Sequence, residues 1–194
     1  MRREANARPP TAAWRDLGTG QPLLLDGLLG NARALAARAE VLALDEERVL
    51  SPTKAEGSGP RCMWLSKELL DPAIGAVVDL MDAAIATLND RGELGTGELE
   101  ALLSLEDTAT SDAPAQPDRR GPDPRCIATI YYANEWRPGD GGELVLYDDA
   151  GRCTRVIEPL ADRLVVFVTQ TPHALRPIVR GPHVSITGYL RRPV

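Results

Sequence analysis

Apolar positions recur with two different periods along the chain, and each period predicts a different kind of element. Over residues 23–44, apolar residues and many alanines follow helical spacing, which predicts a first helix. A second helix is predicted to begin at Asp71-Pro72, an N-cap followed by proline at the first helical position, and to end near residues 89–92. Its apolar residues form one stripe suited to packing on a sheet: Ile74, Val77, Val78, Met81, Ile85 and Leu88.

The last third of the chain changes to short runs with a period of two. Strands are predicted at residues 127–132, 143–147, 153–157, 163–169 and 184–190. Residues 61–66 predict an earlier short strand, whereas residues 99–105 fit either a helix or a strand, with the strand favoured by the β-rich sequence downstream. Two helices before a run of strands predict an α+β domain in which the helices pack on one face of a sheet.

Proline-rich stretches divide this chain. Residues 1–22 are predicted to form an extended N-terminal arm, and residues 23–194 a single domain that contains a Pro/Asp-rich loop at 107–125. We expect the arm and this loop to supply contacts to other protein subunits.

Composition excludes several functional classes. A net charge of −6 argues against a general nucleic-acid binder, and no apolar run approaches the roughly 20 residues of a membrane-spanning helix. The three cysteines lie far apart without CxxC pairing, so we expect buried or half-buried free thiols in a reducing intracellular compartment, the cytosol or an organelle matrix, and not a secreted protein. The chain has only two histidines, His173 and His183, which limits metal chemistry severely.

The last third of the chain contains several motifs in a fixed order: Arg125-Cys126, Ile130-Tyr131-Tyr132-Ala133-Asn134, Trp136, Gly141-Gly142-Glu143-Leu144, Ile157-Glu158-Pro159, Asp162-Arg163-Leu164, Phe167, Pro172-His173, Pro177 and Ile186-Thr187. Together these motifs resemble the prolyl 4-hydroxylase branch of the iron(II)- and 2-oxoglutarate-dependent oxygenases, above all the enzymes that hydroxylate hypoxia-inducible transcription factors. The resemblance implies a double-stranded β-helix, a jelly-roll or cupin-like barrel, supported by N-terminal helices.

The resemblance also implies a site. Such enzymes hold iron(II) with two histidines and one carboxylate, and pair a cation with the far carboxylate of 2-oxoglutarate. The distal histidine position falls on His173, and the carboxylate position on Asp112. Tyr132 and Thr187 match positions on the cosubstrate pocket, so Tyr132, His183 and Thr187 together mark a vestigial 2-oxoglutarate pocket.

Two positions depart from the family pattern. Thr110 stands where the first histidine ligand is expected, and His183, mostly uncharged at neutral pH, stands where the cation is expected. His183 also fits an inward polar group bonded to Tyr132 or to a neighbouring hydroxyl. Strand alternation then predicts two faces. One comprises His183, Ser185, Thr187 and Tyr189, directed into the barrel, and the other Val184, Ile186 and Leu190, directed towards the helices.

Three functions remain open from the sequence. The first is a prolyl-hydroxylase-like domain that has lost catalysis, binds neither iron nor 2-oxoglutarate, and serves as a protein-binding or structural subunit of a larger assembly. The second is an active iron(II)/2-oxoglutarate dioxygenase with a rearranged metal site formed by His173, Asp112 and either Glu106 or Asp107. The third is a dicarboxylate sensor in which Arg176 or Arg180 replaces the missing cation.

Overall fold

A computed structural model of the chain describes residues 17, 21–53, 60–66, 72–89, 99–106 and 125–191. Two helices and ten strands occur in these ranges. They are β1 (Leu23–Asp26), α1 (Asn31–Glu46), β2 (Ser51–Pro52), β3 (Arg61–Trp64), α2 (Pro72–Asn89), β4 (Leu99–Glu106), β5 (Arg125–Tyr132), β6 (Leu144–Tyr147), β7 (Cys153–Ile157), β8 (Arg163–Val168), β9 (His173–Leu175) and β10 (His183–Arg191).

The strands form two antiparallel sheets that pack face to face. The large sheet has the order β1-β8-β5-β10-β4-β3-β2, and the small sheet the order β7-β6-β9. Side chains from both sheets meet in one apolar cluster, with Tyr132 and Phe167 from the large sheet and Leu144, Leu146 and Ile157 from the small one. The arrangement is the predicted α+β double-stranded β-helix.

A second apolar cluster lies on the opposite face of the large sheet, where the helices cover it. Two sets of helix residues pack there against strand residues such as Leu103 and Ile186: Ala34, Ala37 and Val41 of α1, and Ile74, Val77, Met81 and Ile85 of α2. Val184, Ile186 and Leu190 belong to this helix-side cluster, whereas the alternate residues of β10 line a cavity between the sheets. The predicted alternation of β10 is therefore confirmed.

The predicted first helix was wrong at its start. Leu23–Asp26 is an edge strand whose buried residues, Leu23 and Leu25, alternate and pair with β8. Gly27 and Gly30 then adopt φ values of 72° and 87°, which break the chain direction before the helix begins at Asn31. The helical spacing of apolar residues continued through this turn and concealed it.

The other elements follow the sequence patterns closely. The ambiguous stretch is strand β4, and the second helix begins at Pro72 as predicted. The three-residue β9 and two-residue β2 were missed, because so short a run carries no periodicity. Cys62 is half-buried as expected, but Cys153 is exposed on the edge strand β7, so that part of the expectation was wrong.

The predicted N-terminal arm and Pro/Asp-rich loop lie almost wholly outside the described residues. Within residues 1–22, Leu17 is described and is buried in the helix-side cluster. Neither helix in the described ranges is long and apolar enough to cross a membrane.

Each helix receives a carboxylate at its N-terminus from a distant part of the chain. Glu40 on α1 accepts hydrogen bonds from the backbone N–H groups of Ala73 and Ile74, at 2.8–3.1 Å, in the first turn of α2. These N–H groups have no partner within their own helix, and the negative charge also interacts favourably with the helix dipole. Glu40 therefore fixes α2 against α1.

Asp162 provides the corresponding contact for α1. Its buried carboxylate accepts hydrogen bonds from the backbone N–H of Leu29 at 3.0 Å and of Gly30 at 2.7 Å, and from the hydroxyl of Tyr131 at 2.9 Å. Its own N–H donates to the carbonyl of Tyr132, and its carbonyl accepts from Gly27. One residue thus joins the β1–α1 turn, β5 and the start of β8.

Replacing Asp162 with alanine is expected to lower the free energy of unfolding by about 3 kcal/mol, because the buried Tyr131 hydroxyl and two part-buried backbone N–H groups lose their acceptor. Asn is the matched control, since it keeps one acceptor oxygen and tolerates the positive φ of 60° at this position. Tyr131→Phe, which removes one donor, is expected to cost about 1 kcal/mol. Urea unfolding of the variants measures these differences; equal losses for Asp162→Ala and Tyr131→Phe would contradict the assignment.

Candidate ligand-binding site in the barrel

A cavity of about 140 Å³ lies between the two sheets. Its apolar wall comes from Ala128, Ile130, Leu144, Phe167 and Leu175, and its polar lining comes from Ser104, Glu106, Tyr132, His173, His183, Ser185, Thr187 and Tyr189. The polar side chains belong to β4, β5, β9 and β10, which are brought together by closure of the barrel and not by closeness in sequence.

The structure brings five of the predicted site residues together in this cavity: Tyr132, His173, His183, Thr187 and Glu106, which was a candidate ligand of the rearranged metal site. Asp112, Thr110 and Asp107 lie outside the described residues. Arg176 and Arg180 do not line the cavity. They lie 3.6 Å from Glu143 and 3.7 Å from Asp140 respectively, as partners in exposed ion pairs.

His183 lies at the start of β10 with its ring against Tyr132, at a centroid distance of 5.5 Å in a T-shaped arrangement. Burial, with a further contribution from the nearby positive charge of Arg38, lowers the pKa of His183 to about 4. The imidazole is therefore neutral at physiological pH. The suggested hydrogen bond between His183 and Tyr132 does not form: the Tyr132 hydroxyl and His183 Nε2 have no hydrogen-bond partner among the described residues.

The Gly-Gly turn before β6 is shaped around this ring. A Cβ on Gly142 would lie 2.8 Å from Cδ2 of His183, and a Cβ on Gly141 would lie 2.0 Å from the carbonyl oxygen of Pro177. Both residues also have a positive φ, 78° at Gly141 and 75° at Gly142. Glycine at both positions lets the turn approach the 177–183 segment and leaves room for the imidazole.

Glu106, the last residue of β4, lies directly opposite His183 in the paired strands. Its side chain lines the cavity, and burial raises the pKa of its carboxyl group. Its negative charge adds to burial in raising the pKa of Tyr132. The sequence supplied a signal for this position, because Leu103 and Leu105 are core residues and alternation directs Ser104 and Glu106 to the other face.

His173 occupies the small sheet on the other side of the cavity. Its Nδ1 lies 2.9 Å from the carbonyl oxygen of Thr171, and its ring contacts Phe167 at a centroid distance of 5.0 Å. Because a carbonyl only accepts, this bond favours the tautomer with the proton on Nδ1 and the lone pair on Nε2. This tautomer is the one that a metal-binding histidine uses when its Nδ1 is held by a carbonyl.

The described lining fits the groups used by the oxygenases poorly. It contains no lysine or arginine to pair with the far carboxylate of 2-oxoglutarate, and it places the acidic Glu106 opposite His183. Among the described residues, no three His, Cys, Asp or Glu side chains are placed to hold one metal ion.

Comparison with known proteins agrees with this architecture. The model of the 2OG-Fe(II) oxygenase superfamily matches residues 106–191. A prolyl-4-hydroxylase from Pseudomonas putida superposes with a TM-score of 0.82 at 28% identity, over 94% of this chain and 98% of that one. Residues 106–191 thus match the 2OG-Fe(II) oxygenase superfamily, and the chain resembles the prolyl hydroxylases of that superfamily.

Two further relatives are similar to this chain, one over a small part of its own length and the other at a lower sequence identity. The hypoxia-inducible factor prolyl hydroxylase of Caenorhabditis elegans is 34% identical over 120 residues, so the match covers 59% of this chain but 16% of that protein. A Trichoplax adhaerens prolyl hydroxylase, solved with a peptide of the hypoxia-inducible factor oxygen degradation domain, has a TM-score of 0.76 at 20% identity. It covers 93% of this chain and 87% of that one, and supports the fold alone.

The low pKa of His183 predicts acid destabilisation. As pH falls from about 7 to 4, the unfolded chain binds a proton near pH 6.5 that folded His183 does not, so stability falls by up to about 3 kcal/mol. The raised pKa of Glu106 acts with the opposite sign above pH 4.5, where the folded state keeps the proton longer.

Unfolding measured across this pH range tests the effect. His183→Gln should flatten the acid slope, whereas the control Glu106→Gln should retain the slope or steepen it, because this variant removes the opposing contribution of Glu106. In an NMR titration of the two histidines, a His183 ring that titrates near pH 6.5 would contradict the assignment.

Proposed function

We propose that this protein is a prolyl-hydroxylase-like domain that no longer uses iron and 2-oxoglutarate for catalysis and instead serves as a protein-binding or structural subunit of a larger assembly. The observation that carries the proposal is the pairing of Glu106 with a neutral His183 across β4 and β10. The family resemblance places the cosubstrate's cation at His183. The half-buried carboxylate of Glu106 lies opposite it instead.

The charge on Glu106 opposes the binding of a dicarboxylate such as 2-oxoglutarate in the barrel cavity. Two like charges about 4 Å apart repel by about 4 kcal/mol at the effective dielectric constant typical near a protein surface. A dicarboxylate entering the cavity must therefore either approach the ionised Glu106 or force it to take up a proton, for which its raised pKa helps only in part. Neutral His183 offers no compensating charge.

A retained scaffold supports the binding role. The helix-side cluster and the Asp162 and Glu40 contacts are complete, so the fold is fixed by interactions away from the cavity. A prolyl hydroxylase of the same fold from Trichoplax adhaerens holds a protein peptide. We propose residues 1–22 and 107–125 as contacts to partner subunits, with the protein in a reducing intracellular compartment.

One observation favours the second candidate, an active dioxygenase with a rearranged metal site. His173 and Glu106 line the same cavity, and a carboxylate with a histidine is part of the iron(II) ligand set of such enzymes. Asp112 or Asp107 would have to complete the set.

The third candidate is a dicarboxylate sensor that relies on Arg176 or Arg180. It has less support, since both arginines lie outside the barrel cavity in ion pairs.

The charge argument predicts the outcome of a binding experiment. Thermal unfolding of the whole chain with Mn(II), an oxygen-insensitive substitute for iron(II), should show no rise in Tm on adding 2-oxoglutarate. The double variant Glu106→Gln/His183→Arg should bind 2-oxoglutarate at least about tenfold more tightly, since one charge-assisted pair contributes roughly 1.5–3 kcal/mol. Iron-dependent formation of succinate from 2-oxoglutarate by the unaltered protein would refute the proposal.

A second pair of variants separates a lost metal site from a rearranged one. Thr110→His restores the histidine that the family pattern expects, so metal affinity measured by Mn(II) electron paramagnetic resonance should increase over that of the parent. His173→Ala in the Thr110→His background should abolish the gain. If the parent chain already binds Mn(II) tightly and Glu106→Gln removes that binding, the rearranged dioxygenase is the better description.

A further inference from the structure

A second and larger cavity, of about 250 Å³, opens behind the barrel. Its walls are the turn after β5, at residues 134–141, and the segment that precedes β10, at residues 178–183, with Arg38 of α1 beside them. His183 lines both this rear cavity and the barrel cavity, and no other residue is shared between their linings. The family resemblance assigns no role to the rear cavity.

Arg38 brings an incompletely paired cation to the rear cavity. Its Nη1 donates to the Asn134 side-chain oxygen at 3.3 Å and to the Pro182 carbonyl at 3.1 Å. Both acceptors are neutral, and Arg38 forms no ion pair among the described residues. Burial lowers the pKa of this guanidinium, and the negative charge of Glu135, which lines the same cavity without forming an ion pair with Arg38, offsets part of that effect. The remaining guanidinium N–H groups are available to an anion.

Two buried nitrogen atoms in the lining also lack partners. The Asn134 side-chain oxygen accepts from the Val184 N–H at 2.7 Å and from Arg38, which fixes the orientation of the amide. The amide nitrogen of Asn134 and Nε2 of His183 have no hydrogen-bond partner in the described structure, although each residue is only 5% exposed. The Asn134 amide nitrogen is a donor, and Nε2 of the neutral His183 is one when the ring proton is on Nε2. Leaving a buried donor unpaired costs about 1–3 kcal/mol, so a ligand that accepts hydrogen bonds would recover that cost.

The charges of the lining select the kind of acceptor. Arg38, Arg137 and Arg180 outnumber Glu135 and Asp140 by one, and His183 is neutral. The two acids disfavour a doubly charged anion such as phosphate, whereas the excess of one positive charge suits a singly charged group. A planar carboxylate also matches the forked guanidinium geometry of arginine.

We propose that the rear cavity binds a small organic monocarboxylate, whose oxygens accept hydrogen bonds from Arg38, the Asn134 amide and His183. The volume holds a molecule of a few carbon atoms beyond the carboxylate, with Ile178 and the Trp136 side chain as apolar wall. The indole nitrogen of Trp136 is already bonded to the Gly141 carbonyl at 2.8 Å, so this ring offers surface and not a further donor. The proposal stands whether or not the barrel is catalytic.

The presence of only two histidines makes NMR a direct test. Acetate and propionate are titrated into the whole chain at constant ionic strength, with inorganic phosphate as the competing probe. The ring signals of His183 are expected to shift with saturation in the millimolar range, while those of His173, which lines only the barrel cavity, stay in place. Arg38→Gln should weaken the carboxylates at least about tenfold.

Arg152→Gln is the matched control, since Arg152 is exposed and pairs with Asp148 away from both cavities. It should leave the affinity unchanged. Because Arg38 also holds Asn134 and Pro182, Arg180→Gln provides a second variant at an exposed position, with an expected loss of about two- to threefold. Unsaturable shifts, equal shifts of both histidines, phosphate binding as tight as carboxylate binding, or unchanged affinity in both cavity variants would each overturn the proposal.

Discussion

The buried carboxylate of Asp162 is the interaction on which the arrangement around the barrel depends. It satisfies backbone groups at the entry to α1 and the hydroxyl of Tyr131, while its own backbone bonds to β5 and to the β1–α1 turn. The next residue, Arg163, extends the connection through paired hydrogen bonds of 2.7 and 2.8 Å to Asp26. Hydrogen bonds of Asp162 and Arg163 therefore connect helix α1, the edge strand β1 and the central strand β5.

These hydrogen bonds also set the positions of both cavities. Fixing β5 places Tyr132 between the sheets, and fixing the start of α1 carries Arg38 to the turn after β5. Arg38 in turn lies close enough to His183 to help lower its pKa. The neutral state of His183 thus results mainly from its burial between packed segments, and a helix on the other side of the large sheet adds to it.

The sequence predicted most of the strands because their alternation is regular. Strand β10 illustrates this well, since its side chains divide between the helix-side cluster and the barrel cavity as the alternation predicts. The prediction from sequence was wrong at Gly27 and Gly30, because the turn there lies inside a stretch with helical apolar spacing. It also missed β9, because a three-residue strand is too short to show a period. His173 and His183 were predicted from the family resemblance. The pairing of Glu106 with His183 could not be predicted from the sequence, because strand register depends on contacts between distant segments.

The separation of the two apolar clusters has an evolutionary consequence. Residues that hold the helices to the large sheet belong to one cluster, and the polar residues that line the barrel mostly lie outside both. A substitution among the polar lining residues outside the clusters can therefore alter charge or ligand preference with little change in folding stability. Selection on the interior can relax or change direction while the scaffold persists, so a fold of this kind can outlive the reaction for which it arose.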